Sequence, residues 1–99
     1  MIEHVVLFKW KTGVQKEEID ELLRELSDLK NKIPGIISYK TGHNLSERSQ
    51  GYGAGITSTF VDKASLDAYL PHPEHQKVYT KLIQKVDSLL VVDFQDIQK

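Results

Sequence analysis

The 99-residue chain contains no cysteine, only three prolines and no long apolar segment. The absence of cysteine excludes disulfides and is typical of reducing compartments, so we expect a cytoplasmic protein. The longest apolar runs, Val5–Phe8 and Leu89–Val92, are far too short to cross a bilayer. We therefore expect no membrane partner.

Neither sign of charge dominates the chain, since 13 Lys and Arg residues against 14 Asp and Glu residues give a net charge of −1. Without a basic excess to neutralise phosphates, we expect no nucleic-acid partner. The chain is 39% hydrophobic and 27% charged, as globular domains are, and its length predicts a single domain over residues 1–99. A chain this short buries only about two-thirds of its unfolded surface, so oligomerisation would stabilise it.

Apolar periodicity predicts four strands and three helices. The strands are Ile2–Lys11, Ile36–His43, Tyr52–Val61 and Leu89–Ile97, and the helices are Gln15–Lys32, Asp62–Leu70 and Pro73 to about Ser88. Their order predicts an α+β, ferredoxin-like βαββαβ fold, in which a four-stranded antiparallel sheet carries its helices on one face.

The first strand is apolar on both faces, which indicates that both are covered. The helices of the chain can cover only one of them. We expect the other face to carry Val6 and Phe8 and to be shielded by a second copy, which would close a dimeric α/β barrel around an enclosed space. The partner is therefore the chain itself, as a homodimer.

The segment Asp67–Tyr79 is the densest in chemistry-bearing side chains. Pro71 ends one predicted helix and Pro73 suits the first turn of the next, which places His75 in that first turn. The positive end of a helix dipole disfavours an imidazolium, so His75 is a candidate general base, and Tyr69 can face it across the proline corner. The alternative is that the pair only caps or packs.

A metal site is the weaker interpretation of the same segment. His72 and His75 have a spacing that metal sites use, but the sequence offers no obvious third ligand. We expect no metal and no cofactor.

The sequence resembles the stress-responsive dimeric α/β-barrel (Dabb) domain family over nearly its whole length. The resemblance rests on four segments: the opening strand His4–Trp10, the helix exit Ile33-Pro34-Gly35, the run Tyr69-Leu70-Pro71-His72-Pro73-Glu74-His75, and the strand residues Val92-Asp93-Phe94. It implies a barrel-forming homodimer, in a family most of whose members have no established reaction.

The chain is also similar to members of the olivetolic acid cyclase type, which are cofactor-free polyketide cyclases. That similarity implies Tyr69 and His75 as catalytic residues and His4 as a cavity residue. Where those members have a further cavity histidine, this chain has Ala54, so their substrate does not carry over. The expected ligand pocket comprises His4, Val6, Phe8, Ala54, Ile56, His72 and Tyr79.

Three functions remain open at this stage. The first is a stress-response binding module whose barrel holds a small apolar or carbonyl-containing ligand without chemistry. The second is a cofactor-free cyclase- or lyase-like enzyme with His75 as general base and Tyr69 as hydrogen-bond donor. The third is a structural dimer whose interior is filled by Phe8, Trp10 and Phe60.

Overall fold

The computed structural model describes residues 1–98 and contains one antiparallel sheet of four strands with its helices on one face. The strand order is β2-β3-β1-β4, as in a ferredoxin-like fold. The elements are β1 (Ile2–Trp10), α1 (Lys16–Asp28), β2 (Ile36–His43), β3 (Ala54–Phe60), α2 (Lys63–Tyr69), α3 (Pro73–Leu82) and β4 (Val86–Phe94).

The hydrophobic core lies between the sheet and the helices. In α1, Ile19, Leu22, Leu23 and Leu26 form the buried stripe that helical periodicity predicts. A turn of 3-10 helix follows α1, and its Leu29 is fully buried.

The helices cover the face of β1 that carries Val6 and Phe8, and both side chains are buried in the core. The prediction that these two residues lie on the uncovered face is therefore wrong. Both faces of β1 are apolar, and the packing of α1 decides which one is covered.

The opposite, uncovered face of the sheet, called the open face below, is also apolar on β1 and β4. Strand register places Val5 opposite Val92 and Leu7 opposite Leu90, with Phe94 at the end of the same row. Leu90, Val92 and Phe94 are each close to half exposed. On β2 and β3 the open face carries Lys40, Gly42, Gly55 and Thr57, so the apolar row lies on β1 and β4.

Local signals place the second and third helices as the sequence predicts. The Asp62 carboxylate caps α2 by accepting from the Ser65 N–H at 2.8 Å. Pro73 occupies the first turn of α3, and His72 Nδ1 accepts from the Glu74 N–H at the start of that helix. The chain therefore turns sharply between Tyr69 and Pro73, which positions the functional side chains described below.

The third helix is shorter than predicted, because it ends at Leu82 rather than near Ser88. The residues that follow join the sheet: Val86 pairs with Trp10, and Leu89 pairs with Phe8. Pairing with β1 therefore begins β4 three residues before the predicted start.

Gly35, which follows the 3-10 turn, has φ +91°, and a Cβ at this position would lie 2.6 Å from Ser65 Cβ. The position therefore requires glycine for two reasons, its left-handed backbone and the close approach of α2.

Within residues 1–98, no helix has both the length and the apolar character needed to span a membrane.

Candidate functional site

Tyr69 ends α2 with its ring fully buried between the sheet and α3. Its hydroxyl is hydrogen-bonded to the Tyr39 hydroxyl of β2 at 2.9 Å. Burial raises the pKa of Tyr69 to about 12, against the lowering effect of the Tyr39 hydrogen bond. Burial, and to a smaller extent the neighbouring Tyr69, also raises the pKa of Tyr39. Both phenols are therefore neutral near pH 7.

His75 lies in the first turn of α3, where its ring packs against two tyrosines. The ring centroid is 4.5 Å from that of Tyr69 and 5.7 Å from that of Tyr79. Nδ1 lies 2.9 Å from the carbonyl oxygen of Leu70. Because a carbonyl only accepts, Nδ1 carries the hydrogen and Nε2 keeps its lone pair.

The electrostatic surroundings of His75 favour the neutral ring. Its pKa is lowered, chiefly by burial and to a smaller extent by the nearby His4 and His72, while the Leu70 carbonyl acts in the opposite direction. A neutral imidazole whose Nε2 is free to accept has the protonation state that a general base requires.

His4 is the second buried histidine, and it lies on β1 beside the same aromatic cluster. Nδ1 of His4 bonds to the Asp93 carboxylate, which stands directly opposite on β4. The carboxylate accepts, so Nδ1 donates. The His4 ring meets Phe60 and Tyr69 edge-on, with each centroid 6.0 Å away.

These side chains surround a cavity of about 150 Å³ between the sheet and the helices, called the His75 cavity below. Its polar groups come from His4, Tyr39, Tyr69, His75, Tyr79 and Asp93. The remaining wall is apolar, formed by Val6, Phe8, Leu26, Ile56, Leu70, Leu82 and Val91. The cavity can hold a small molecule that presents an apolar body and a few polar atoms.

The cavity does not lie where the barrel model places it. That model puts the pocket between two stacked sheets, whereas the His75 cavity lies on the helix side of one chain's own sheet. The reason is the orientation of β1, which directs His4, Val6 and Phe8 toward the helices.

The structure brings together seven of the nine predicted site residues. His4, Val6, Phe8, Ile56, Tyr69, His75 and Tyr79 all line the cavity. Ala54 does not line it and is buried opposite Phe8 in the sheet. His72 also lies outside, with its Nδ1 engaged at the start of α3.

Two polar residues of the cavity, Tyr39 and Asp93, are not among the site residues predicted from the sequence. Each meets its partner through the fold, Tyr39 with Tyr69 and Asp93 with His4. The sequence shows only that each lies in a predicted strand with alternating apolar residues. The side chain that each one contacts is known only once the strand register is known.

Two larger depressions, of about 440 and 500 Å³, are open to solvent. One follows α1 and β2 around His43, whose Nε2 lies 2.5 Å from Asp20. The other lies on the open face, where Gly42 and Gly55 pair without side chains. Neither has buried titratable groups, so the His75 cavity is the better candidate site.

Within residues 1–98, no three His, Cys, Asp or Glu side chains cluster as metal ligands would.

Comparison with known proteins identifies relatives over nearly the whole chain. The model of the stress responsive A/B barrel domain matches residues 2–96. The stress-response A/B barrel domain-containing protein HS1 of Arabidopsis thaliana is 32% identical over 96 residues, which cover 95% of this chain and 88% of that protein.

Solved structures agree with this family match. A crystal structure of an Arabidopsis thaliana protein superposes with a TM-score of 0.89 at 32% identity, covering 97% of this chain and 95% of that one. A protein from Jannaschia sp. CCS1, described as a dimeric ferredoxin-like protein of unknown function, gives a TM-score of 0.83 at 32% identity, with 96% and 98% of the two chains covered.

The lowered pKa of His75 predicts a pH-dependent stability. Unfolding returns the imidazole to its ordinary pKa, so the unfolded chain binds more protons in acid, and the free energy of unfolding should fall as the pH drops below about 6.5. His75→Asn, which keeps a side-chain N–H but does not titrate, should show a smaller loss between about pH 7.5 and about pH 5.5. Urea unfolding at each pH gives the free energy of unfolding of both proteins. If that free energy depends on pH equally in the two proteins, the prediction is wrong.

Proposed function

The chain belongs to the stress-responsive A/B barrel domain family, and we propose that it is a homodimer in which each subunit holds a small, mostly apolar molecule in the His75 cavity. We also propose that the protein is cytoplasmic, because the absence of cysteine is typical of proteins in reducing compartments.

The observation that carries the proposal is the His75 cavity itself. Its volume of about 150 Å³ and its aliphatic and aromatic walls match what a small apolar molecule needs. An apolar cavity of about 150 Å³ in another protein stays dry and admits benzene. This space argues against an interior that is packed solid.

The open face supports the homodimer. Val5, Leu7, Leu90, Val92 and Phe94 form one apolar row across two neighbouring strands. A second copy related by a two-fold axis presents the same row and can cover it. Relatives described as dimeric share this fold, which agrees with the proposal.

A cofactor-free enzyme is the second candidate, favoured by the contact between His75 and Tyr69. Nε2 of His75 has a free lone pair, and the Tyr69 ring lies 4.5 Å away with a protonated hydroxyl. Together they can remove a proton next to a carbonyl while the hydroxyl stabilises the developing oxyanion. This chemistry fits the cyclase- or lyase-like activity that the sequence suggests.

Ligand binding should depend on the cavity wall. Val91→Trp introduces bulk at the wall and should weaken the binding of ethylbenzene by about tenfold or more, since an overfilled cavity strains its surroundings. Ile83→Trp, at an exposed position outside the cavity, is the matched control and should bind as the wild type does. Isothermal titration calorimetry measures the affinities, and native mass spectrometry of the purified protein detects any co-purified molecule. The proposal fails if neither method detects binding.

Dimer formation should depend on the open face. Val92→Lys places a charge within the apolar row and should shift the protein toward monomer in analytical ultracentrifugation. Ile83→Lys is matched in exposure, since both side chains are 47% exposed, but it lies in the helix layer and should leave the assembly unchanged. A Val92→Lys protein that remains wholly dimeric would place the interface elsewhere.

The enzyme candidate predicts proton exchange. The wild type should accelerate hydrogen–deuterium exchange at the methyl group of acetophenone, and His75→Ala should lower that rate by roughly a hundredfold or more. His72→Asn retains an acceptor at the start of α3 and should keep the wild-type rate. Exchange is followed by NMR in D2O. A His75→Ala protein that exchanges as fast as the wild type would end the role of His75 as base.

A further inference from the structure

The hydroxyls of Tyr39 and Tyr69 have one hydrogen too many for the bond between them. Each phenol carries one O–H and can both donate and accept. At 2.9 Å one hydroxyl donates to the other, which still has its own hydrogen to place. Among residues 1–98, neither oxygen has a further side-chain or backbone partner within hydrogen-bond distance.

The hydroxyl hydrogen that is not used in this bond can be donated into the His75 cavity. Both tyrosines line the cavity, and both are buried, so the hydrogen is shielded from bulk solvent. A buried donor without an acceptor is costly, typically about 1 to 3 kcal/mol. An acceptor atom brought into the cavity by a ligand would remove that cost.

The surroundings of the two rings indicate which hydroxyl is terminal. The Tyr69 ring lies against His75 and His4, with centroids 4.5 and 6.0 Å away. The Tyr39 ring contacts the Tyr69 ring, and their centroids are 6.5 Å apart. A hydrogen-bond chain from Tyr39 to Tyr69 therefore ends on the residue whose ring contacts both histidines, whereas the reverse chain ends on Tyr39, whose ring contacts Tyr69.

We propose that Tyr39 is a positioning residue that donates its hydroxyl hydrogen to Tyr69, so that the Tyr69 hydroxyl in turn donates to the oxygen of a carbonyl-containing ligand in the His75 cavity. The proposal rests on the proposed function, because it requires that the cavity takes up a small molecule. It assigns to that molecule one acceptor oxygen at the tyrosine end and an apolar body along Val6, Ile56 and Leu82.

The acid–base properties of the pair agree with its role as a hydrogen-bond donor. Both pKa values lie well above neutrality, so the tyrosines are donors, not bases. A hydroxyl that accepts a hydrogen bond is also polarised into a stronger donor.

The experiment compares two probes of similar shape, acetophenone with a 13C-labelled carbonyl and ethylbenzene without an acceptor. The proteins are the wild type, Tyr39→Phe, Tyr69→Phe and the double variant, each of which keeps the rings. NMR titration gives the affinity for both probes, and the 13C shift of bound acetophenone reports the hydrogen bond directly. Ethylbenzene binding tests whether the cavity survives each substitution.

In the wild type, we expect acetophenone to bind more tightly than ethylbenzene and its carbonyl signal to move downfield. Tyr39→Phe should reduce that shift and weaken acetophenone binding by roughly threefold to tenfold, with ethylbenzene within about twofold of the wild type. Tyr69→Phe and the double variant should abolish the shift.

Other results overturn the inference in distinguishable ways. If Tyr39→Phe lowers stability but leaves the carbonyl shift and both affinities unchanged, the tyrosine pair is only a structural link between β2 and α2. If the double variant retains the shift, another group holds the oxygen. If the wild type binds both probes equally without a shift, this inference fails while the proposed function stands, and if it binds neither probe, both fail.

Discussion

The alternation of side chains along β1 is the constraint on which both the core and the candidate site depend. β1 is an inner strand that pairs with β3 on one side and β4 on the other. Its even-numbered residues face the helices, so His4 reaches the cavity while Val6 and Phe8 fill the core. Its odd-numbered residues Val5 and Leu7 face away. A register shift of one residue would exchange the two sets completely.

Three polar side chains of the cavity are each held by a hydrogen bond within the protein. His75 is held by the Leu70 carbonyl, His4 by Asp93, and Tyr69 by Tyr39. Each bond satisfies a group whose burial would otherwise be unfavourable, and it fixes a tautomer or a rotamer. The proposed ligand would meet the unengaged nitrogens and hydroxyl hydrogen, in keeping with ligand pockets that are largely pre-formed and carry a few fixed polar groups.

The sequence predicts the order of elements well, because local signals specify it. Asp62 and Pro73 act through their own neighbours, and the helical stripe of α1 is unambiguous. The end of α3 could not be predicted in the same way. Val86 fits both a helical stripe and a strand, and only its pairing with Trp10 decides between them.

The candidate site was predictable where its residues are close along the chain, and much less so elsewhere. Tyr69 and His75 are separated by one proline corner, so their contact follows from local geometry. The covered face of β1 does not follow, because both faces are apolar. Tyr39 and Asp93 join the site through strand register and the docking of α2, which no local pattern encodes.

Neighbouring residues of β4 serve the two sides of the sheet. Val91 and Asp93 border the cavity, while Val92 between them belongs to the apolar row of the open face. In the proposed homodimer, a backbone adjustment of β4 that admits a larger ligand to the cavity would therefore also displace the residues that face the second subunit. Ligand binding and dimerisation, if coupled in this way, belong to one thermodynamic cycle, in which each would change the equilibrium constant of the other by the same factor.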